Sequence, residues 1–360
     1  MIAVGDVVVG AGLLRTLGAR ARAAVPGAHR WAVCIDETVD RLHGTTVRAA
    51  VEREPMGGPV TWLLVPSGER HKTRETWARL TDALLEAGHG RDTALMAVGG
   101  GVTGDLAGFV AATYLRGVPF VQVPTTLLAM VDASIGGKTG VDVPAGKNLV
   151  GAFHPARAVL ADPTVLATLP MPERRAGFAE MLKHGAIADA AHFEQLVADA
   201  SRLLAPDAPP DPLVEAIATS VRLKASVVAN DPTEVGQRAI LNAGHTIAHA
   251  IEHLTGYAVR HGEAVAMGLV LEAAAGEALG VTAAGTSGAM RRACEAAGLP
   301  MALPAGLSAD AMLQAMRLDK KARAGAVRCA LPAAIGRMAR DGEAWTIPVP
   351  DDVWRAVLRS

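Results

Sequence analysis

The chain has 360 residues, half of them hydrophobic, and 35 basic against 36 acidic residues give a formal net charge of −1. This balance argues against nucleic acid or an anionic membrane surface as the partner, and 3% aromatic residues are too few for a base-stacking platform. The sequence has no apolar run of about 18 residues, so no membrane span is expected. It also shows no signal peptide and no CxxC pair among its three cysteines, so the protein is expected to be cytoplasmic.

The first 160 residues alternate short apolar runs with helical patterns. The runs DVVVG, RWAVCID, TWLLV, TALMAVGGG and PFVQVP predict strands, and the segments between them predict helices. The glycine-rich stretch from Thr125 to Asn148 has little periodicity, so we predict a functional loop region flanking a short helix, before a last strand at AVLAD. Strands that alternate with helices are typical of a parallel sheet.

From about Asp162 onward helical periodicity replaces the strand pattern, as in FAEMLKHG, LVEAIATSVRLKASVVA, RAILNAGHTIAHAIEHL and EAVAMGLVLEAAAGEAL. The sequence therefore predicts a Rossmann-like α/β domain over residues 1–162 and an all-α domain over residues 163–360. Because a domain interface is a favoured place for a ligand, we expect the site in a cleft between the two domains.

The segment GGGVTGD, from Gly99 to Asp105, contains a G-x-G-x-x-G pattern between a predicted strand and a predicted helix. Backbone amides at such a helix N-terminus suit a pyrophosphate. A tight turn without a ligand is the alternative, because the pattern lies in the fourth βα unit and not the first. Asp36 ends a predicted strand and is a candidate partner of a ribose hydroxyl, and Glu69 and Lys72 follow the next strand.

Two lysines lie in glycine-flanked stretches, Lys138 in GGKTG and Lys147 in AGKN. Cations and amides in such loops can hold a phosphate or a carboxylate, and two solvated loop lysines are the alternative interpretation. GGKTG lacks the spacing between glycines that an ATP-binding P-loop requires.

Histidine recurs every four residues at His245, His249 and His253, within a segment that ends near His261. On a helix these imidazoles share one face, and two histidines at this spacing can bind one metal ion. A single helical histidine is more often structural, but His245, His249 and His261 together predict a metal site once a carboxylate completes it, with His253 outside the ligands.

Glu180 is the candidate carboxylate, because it lies three residues before Lys183 on the apolar helix FAEMLKHG. An exposed ion pair is the simpler interpretation of this spacing. The apolar neighbours indicate instead that the face is buried, and a buried glutamate needs a cation or a metal ion.

Several segments in succession resemble 3-dehydroquinate synthase: GGGVTGDLAGFVAATYLRG, VPTTLLAMVDASIGGKTGVDVPAGKNLVGAFHP, FAEMLKHG, RAILNAGHTIAHAIE, RHGEAVAMG and LDKKARAG. They occur in the family's order over about Asp36 to Gly325. The resemblance implies conversion of 3-deoxy-D-arabino-heptulosonate 7-phosphate (DAHP) to 3-dehydroquinate and phosphate in the shikimate pathway. It implies oxidation by NAD, phosphate elimination, reduction and aldol cyclisation, with NAD regenerated and one divalent metal ion, typically zinc, with cobalt as the alternative.

The resemblance also assigns residues to roles. It implies that the metal ligands are Glu180, His245 and His261, and that His249 binds the substrate phosphate instead of the metal ion. The substrate residues it implies, with Lys147 added from its own loop, are Asp132, Lys138, Lys147, Asn148, Lys183, Lys224, Arg238, Asn242, His249 and one of Lys320 and Lys321. The NAD residues it implies are Asp36, Glu69, Lys72, Gly99, Gly100, Gly101, Gly104, Asp105, Thr125 and Thr126. Arg116 is expected to reach into the site of a second copy, which implies a homodimer.

Four positions depart from the usual family pattern, namely Asp142, His154, Ile247 and Ala248. Related sugar phosphate cyclases act on other phosphates, and an amino-dehydroquinate synthase is the alternative among them. A carboxylate-bearing substrate is favoured over the substrates of the valiolone and inosose synthases, because the chain has Lys224, Arg238, Asn242 and His249.

Two alternatives belong to other classes of protein. A metal-dependent alcohol dehydrogenase shares the layout and the histidine-rich helix, but it would not need so many phosphate-directed cations. A non-catalytic metal- or nucleotide-binding protein would not need Lys183 and His249 beside the ligands.

Overall fold

The structure, a computed structural model, describes residues 1–318 and 327–359. The chain forms two structural units. The first comprises Met1–Leu169 and Pro206–Val221, and the second comprises Pro170–Ala205 and the residues from Arg222 onward. The boundary after residue 162, between an NAD-binding domain and a metal- and substrate-binding domain, stays a prediction.

The first unit, which is described throughout, contains nine strands and four complete α-helices. The strands are β1 (Ile2–Val4), β2 (Val7–Val9), β3 (Arg30–Asp36), β4 (Thr61–Val65), β5 (Thr93–Gly99), β6 (Phe120–Pro124), β7 (Lys138–Val143), β8 (Gly146–Phe153) and β9 (Ala158–Ala161). The helices are α1 (Leu17–Ala24), α2 (Glu37–Glu52), α3 (Arg74–Glu86) and α4 (Gly101–Thr113).

Seven strands form one sheet in the order β1-β2-β9-β6-β5-β3-β4. Only β1 and β2 pair antiparallel, and every other neighbouring pair is parallel. All seven residues of β5 are buried, as expected of a strand with both faces covered by other elements. The prediction of an α/β domain with a parallel sheet is confirmed.

The centre of this sheet contains a topological switch point. The chain leaves β3 for β4 on one side, whereas it leaves β5 for β6 on the other side. Ile35 pairs with Val98, so Asp36 and Gly99 end their strands next to each other. In open α/β sheets ligands bind at this place, outside the carboxyl ends of the strands.

The prediction of a loop region over residues 125–148 is wrong for its second half. A π-helical turn covers Ala129–Ala133, and β7 and β8 then form an antiparallel hairpin. Gly140 pairs with Gly151, and a Cβ atom on Gly151 would lie 2.1 Å from the carbonyl oxygen of Thr139. The glycines that indicated a loop are therefore required by the close approach of the two strands.

The second unit is mainly helical, as predicted. Its helices are α5 (Met171–Ala188), α6 (Ala190–Leu204), the second half of α7 (Pro210–Asn230), α8 (His245–Leu254), α9 (His261–Ala278), α10 (Thr286–Ala296), α11 (Ala309–Leu318) and α12 (Asp351–Arg359). Four short strands, which the sequence patterns did not indicate, are β10 (Val327–Cys329), β11 (Pro332–Ala334), β12 (Arg337–Met338) and β13 (Ile347–Val349). None of the described helices is long and apolar enough to cross a bilayer.

The segment RAILNAGHTIAHAIEHL is not one continuous helix. A 3-10 turn over Gln237–Asn242 ends before Gly244, whose φ of 81° is left-handed, and α8 begins at His245. The break allows α8 to pack closely on α9, because a Cβ atom on Gly268 would lie 1.9 Å from the Gly244 carbonyl oxygen. The residues before and after Gly244 therefore do not share one helical face.

Candidate active site

Three side chains from three helices of the second unit converge on one point. They are Glu180 of α5, His245 at the start of α8 and His261 at the start of α9, and one ligand atom of each lies within 4.8 Å of the others. The Glu180 Oε1 atom lies 3.4 Å from His261 Nε2 and 3.8 Å from His245 Nε2. Tetrahedral zinc, with bonds of about 2.0–2.2 Å, holds its ligand atoms roughly 3.3–3.6 Å apart. The nitrogen and oxygen donors therefore fit a divalent metal ion.

The second nitrogen of each imidazole faces an acceptor. His245 Nδ1 lies 3.2 Å from the carbonyl oxygen of Ala243, and His261 Nδ1 lies 3.4 Å from Glu252 Oε2. A histidine whose Nδ1 donates its proton leaves the lone pair of Nε2 for a metal ion. Both rings are therefore held in the orientation that a metal site requires.

The charges around His261 favour a cation. Burial lowers the pKa of His261, but hydrogen bonds to Glu180 and Glu252, with the charges of these two residues, outweigh burial and raise the pKa to about 10. The same negative field attracts a divalent cation, which competes with the proton for the imidazole.

Lys183 lies one helical turn after Glu180, and its Nζ atom forms an ion pair with Glu180 Oε2. Glu180 is fully buried, and the Lys183 side chain is 2% exposed. The sequence predicted this buried pair, as opposed to an exposed one. Since Lys183 holds Oε2, the other carboxylate oxygen is the one that faces both Nε2 atoms.

His249 lies beside this group but outside it. Its ring centroid is 5.6 Å from that of His245 in an edge-to-face contact, and the ligand group includes His261 in its place. His253, the third histidine at the four-residue spacing, is exposed. Spacing along the helix alone therefore nominated a partner for His245 that this group of ligand atoms does not include.

Arg238 and Asn242 belong to a loop that Asp231 organises. The Asp231 carboxylate accepts hydrogen bonds from the backbone amides of Val235, Gly236 and Arg238 at 3.0, 2.7 and 2.9 Å. Burial alone would raise the pKa of Asp231, but these hydrogen bonds lower it below its usual value. The buried Arg238 donates from Nη1 to the Pro232 carbonyl oxygen at 2.6 Å.

Asn242 donates from Nδ2 to Glu234 Oε1 at 2.8 Å, so Glu234 also joins this loop. Lys224 is buried in α7, and it is 7% exposed. Lys320 and Lys321, predicted to hold phosphate, lie outside the described residues.

Sequence reasoning did not identify the carboxylates that support these side chains. Glu252 lies seven residues after His245, on the same face of α8, and this spacing could have indicated it. Glu272 of α9 is 1% exposed and accepts hydrogen bonds from the backbone amides of Gly244 at 2.7 Å and Ile247 at 3.2 Å. Glu272 thereby caps the N-terminus of α8, and nothing in the local sequence predicts a cap from another helix.

In the first unit, the glycine turn after β5 lines a small pocket. Its lining includes residues predicted for NAD, namely Gly99, Gly100, Gly101, Gly104 and Asp105. Gly100 is the N-cap of α4 and supplies no side-chain hydrogen bond, so it leaves the first backbone amides of the helix uncapped by a side chain. A Cβ atom on Gly100 would lie 3.1 Å from Thr126 Cγ2. The turn fits the pyrophosphate part of a dinucleotide.

Lys72 joins the glycine turn to the β7–β8 hairpin. Its Nζ atom donates to Asp105 Oδ2 at 2.6 Å and to Asn148 Oδ1 at 2.5 Å. Burial lowers the pKa of Lys72, but the charges of Asp105 and Glu69 and the hydrogen bond to Asp105 raise it above its usual value. Asp105, predicted to bind NAD, and Asn148, predicted to bind the substrate, thus accept hydrogen bonds from the same ammonium group.

The hairpin is held to the same lysine through its backbone. The Asp142 amide donates to the Lys72 carbonyl oxygen at 2.7 Å, and Asp142 Oδ1 accepts from the Asn148 amide at 2.9 Å. Asn148 has a φ of 55°, a left-handed conformation that asparagine tolerates better than most residues. Asp142, where the sequence departs from the family pattern, therefore fixes the backbone of Asn148.

The remaining predicted NAD residues lie at the carboxyl ends of the strands. Asp36 Oδ1 caps α2 by accepting from the amides of Thr38 and Val39, and it also accepts from Ser67 Oγ at 2.8 Å. Lys147 Nζ lies 3.5 Å from Glu69 Oε1. The buried Thr125 follows β6, where its amide donates to the Gly99 carbonyl oxygen at 2.9 Å.

The other predicted residues of the first unit are Asp132, Lys138 and Arg116. Asp132 belongs to the π-helical turn, and Lys138 is exposed at the start of β7. Arg116 is exposed in a turn where Leu115, Arg116 and Gly117 have φ values of 48, 69 and 117°. Two consecutive left-handed residues that are not glycine are rare, so this turn presents Arg116 at a conformational cost.

The arrangement offers two kinds of chemistry. Three ligands in the second unit can hold a metal ion that polarises an oxygen atom, with a buried ammonium group beside them. The glycine turn in the first unit can hold a pyrophosphate at a switch point of the sheet.

Comparisons with known proteins agree with these features. Residues 62–176 match the family described as 3-dehydroquinate synthase N-terminal, and residues 177–322 match 3-dehydroquinate synthase C-terminal. A 3-dehydroquinate synthase of Xanthomonas campestris pv. campestris (strain 8004) is 48% identical over 326 residues, which are 89% of this chain and 87% of that protein.

Two solved structures are also similar over nearly their whole length. A 2-deoxy-scyllo-inosose synthase complexed with carbaglucose-6-phosphate, NAD+ and Co2+ has a TM-score of 0.88 at 26% identity, with 98% of this chain and 96% of that chain covered. The 2-epi-5-epi-valiolone synthase ValA from Streptomyces hygroscopicus subsp. jinggangensis 5008, with NAD+ and Zn2+ bound, has a TM-score of 0.86 at 29% identity, with 100% and 97% covered.

Proposed function

The chain belongs to the 3-dehydroquinate synthase family, and from this premise we propose that it converts DAHP to 3-dehydroquinate and phosphate. The steps are an oxidation, elimination of phosphate, a reduction and an intramolecular aldol cyclisation. Because a carbon–oxygen bond breaks without hydrolysis, the enzyme is classed as a lyase. Its place is the shikimate pathway, which leads to chorismate and the aromatic amino acids.

One observation supports this function most directly. The carboxylate oxygen Glu180 Oε1 faces the Nε2 atoms of His245 and His261, while Lys183 binds the other oxygen of the same carboxylate. A site with a metal ion beside a buried ammonium suits a substrate that carries several negative charges. An alcohol dehydrogenase acting on a neutral alcohol needs no such ammonium.

Glu180, His245 and His261 are proposed to hold one zinc or cobalt ion. Such an ion, when bound, acts as a Lewis acid that polarises a hydroxyl or carbonyl oxygen of the substrate. Three protein ligands leave a position open for these oxygens. Lys183 keeps Glu180 Oε1 directed at the two imidazoles.

NAD is proposed to bind at the switch point of the sheet, with its pyrophosphate on the amides of the glycine turn. NAD bound there would supply an acceptor, and later a donor, for the hydride of the substrate, and it would not be consumed. The residues proposed to complete this site are Asp36, Glu69, Lys72, Thr125 and Thr126. The NAD-binding domain is proposed to span residues 1–162, and the metal- and substrate-binding domain residues 163–360.

The substrate's two anionic groups are proposed to bind different cations. Arg238 and Lys224 hold the carboxylate, and both are buried, which strengthens their attraction for an anion. The residues proposed around the phosphate are Lys138, Lys147, Asn148, Asn242, His249 and one of Lys320 and Lys321, with Asp132 and Lys183 nearer the reacting carbons. Asp231 supports this assignment, since its hydrogen bonds fix the backbone of Arg238.

Arg116 is proposed to serve the site of a second copy, so that the enzyme works as a homodimer in the cytoplasm. The strained, exposed turn that presents Arg116 supports this role, because such strain persists at functional positions.

Three candidate substrates, tested side by side, distinguish the alternatives. The purified protein with zinc and NAD should release phosphate from DAHP, and release from the amino counterpart of DAHP should be slower by at least about tenfold. Glycerol should give no NADH. Faster release from the amino compound would establish the amino-dehydroquinate branch, and NADH formation from glycerol without phosphate release from DAHP would establish a dehydrogenase.

A further inference from the structure

The imidazole of His261 lies between two buried carboxylates. Its Nε2 atom is 3.4 Å from Glu180 Oε1, and its Nδ1 atom is 3.4 Å from Glu252 Oε2. Glu252 lies in the last turn of α8, and its side chain is 7% exposed. The contact therefore links the end of α8 to the first residue of α9.

This contact has a chemical consequence for the ring. A neutral imidazole carries one proton, and only the nitrogen without that proton can bind a metal ion. A carboxylate at Nδ1 holds the proton there, leaves the Nε2 lone pair free and makes it more basic. The Nδ1 proton of His245 is held in the same way by a weaker acceptor, the Ala243 carbonyl oxygen at 3.2 Å.

We propose that Glu252 is a positioning residue of the metal site, which fixes the ring orientation and the Nδ1–H tautomer of His261. This inference rests on the metal site of the proposed function. Glu252 does not bind the metal ion itself, because its carboxylate lies on the far side of the ring from Nε2.

The chain offers a matched control in Glu263. This glutamate lies two residues after His261, and its side chain is 19% exposed. Its carboxylate pairs with Arg260 at 3.4 Å, and it contributes to the cap at the start of α9. Substitutions at Glu252, nine residues before His261, and at Glu263, two residues after it, each remove one carboxylate. Glu252 faces the imidazole, whereas Glu263 pairs with Arg260.

The test measures the affinity for zinc alone, by competition with a chromophoric chelator, with neither DAHP nor NAD present. Glu252→Met removes the acceptor at nearly constant side-chain length, and we expect zinc affinity to fall by about 10–100-fold. Glu252→Gln keeps a neutral acceptor, so its affinity should lie between those of Glu252→Met and the wild type. Glu263→Met should stay within about twofold of the wild type.

Several outcomes would overturn the proposal. Equal losses in Glu252→Met and Glu252→Gln would indicate a packing role, and a similar loss in Glu263→Met would indicate a general effect of charge. Should Glu252→Met fail to fold, unchanged zinc affinity in Glu252→Gln would still refute the role. The measurement uses no substrate, so a wild-type protein that binds zinc but releases no phosphate would refute the proposed function alone.

Discussion

The Nε2 atom of His261 lies 3.4 Å from Oε1 of Glu180, although the two residues belong to different helices, α9 and α5. His245 Nε2 faces the same oxygen from 3.8 Å. Three helix positions distant in sequence thus direct their donor atoms to one point. Tertiary packing of α5, α8 and α9 creates this arrangement, since no local sequence pattern contains all three residues.

Removal of His261 should eliminate metal binding but not folding. His261 is 30% exposed, so His261→Ala leaves no large cavity, whereas loss of one of three ligands should weaken zinc binding by more than about 100-fold. Metal analysis after dialysis should find no zinc in the variant, and phosphate release should be lost.

His253→Ala is the matched control, because His253 is exposed on the same helix as His245. This variant should retain one zinc ion per chain. A fully active, zinc-containing His261→Ala protein would remove His261 from the ligand set.

Loss of Lys72 should weaken both NAD binding and the first unit. Lys72→Met leaves the Asp105 carboxylate without its ammonium partner, and their side chains are only 4 and 18% exposed. We expect the free energy of unfolding to fall by about 3 kcal/mol and NAD affinity, measured by calorimetry, to fall at least about tenfold.

Lys147→Met provides the comparison for stability, because Lys147 and its partner Glu69 are 28 and 41% exposed at 3.5 Å. Its unfolding free energy should change by less than about 1 kcal/mol. Equal destabilisation by the two substitutions would contradict the central role given to Lys72.

The fold was largely predictable from the sequence because apolar runs and helical periodicity report burial directly. β3 and β5 are buried almost throughout, and both appeared as continuous apolar segments. The hairpin of β7 and β8 was missed, since Gly140 and Gly151 serve close strand pairing there and resemble loop residues in the sequence.

The candidate site was less predictable from residues alone. The residues alone placed His249 in one candidate metal set with His245, His261 and Glu180. The family resemblance then reduced the ligands to Glu180, His245 and His261. The break at Gly244 depends on its contact with α9, and the cap from Glu272 depends on the same contact. Such relationships arise from tertiary packing, which a one-dimensional pattern does not contain.

Glu272 should stabilise the start of α8. Glu272→Gln removes the charge that accepts hydrogen bonds from the amides of Gly244 and Ile247, and we expect the free energy of unfolding to fall by about 2 kcal/mol. Denaturant unfolding followed by circular dichroism measures this change. Glu295→Gln, at an exposed carboxylate of α10, should change it by less than about 0.5 kcal/mol, and a loss as large as that of Glu272→Gln would contradict the capping role.

His192 should make the protein less stable in mild acid. Burial lowers the pKa of His192 from 6.5 to about 4, with Asp189 opposing and His184 and Arg222 reinforcing the effect. Between these values the unfolded chain binds a proton that the folded chain does not, so stability falls as the pH falls from 6.5 towards 4. The difference amounts to about 3 kcal/mol at most.

His192→Gln removes this titration. Unfolding free energies measured between pH 7 and 4, a range of about three units, should therefore decline less steeply in the variant. An identical decline in the variant and the wild type would show that His192 does not titrate in this way.

The central claim is that the enzyme uses NAD without consuming it, and turnover with limiting NAD tests this claim most directly. With zinc present and DAHP in large excess over NAD, phosphate and 3-dehydroquinate should form in equal amounts. They should exceed the NAD supplied by at least about tenfold, without net NADH formation. A reaction that stops after one equivalent of NAD, with NADH accumulating and no phosphate released, would contradict the account.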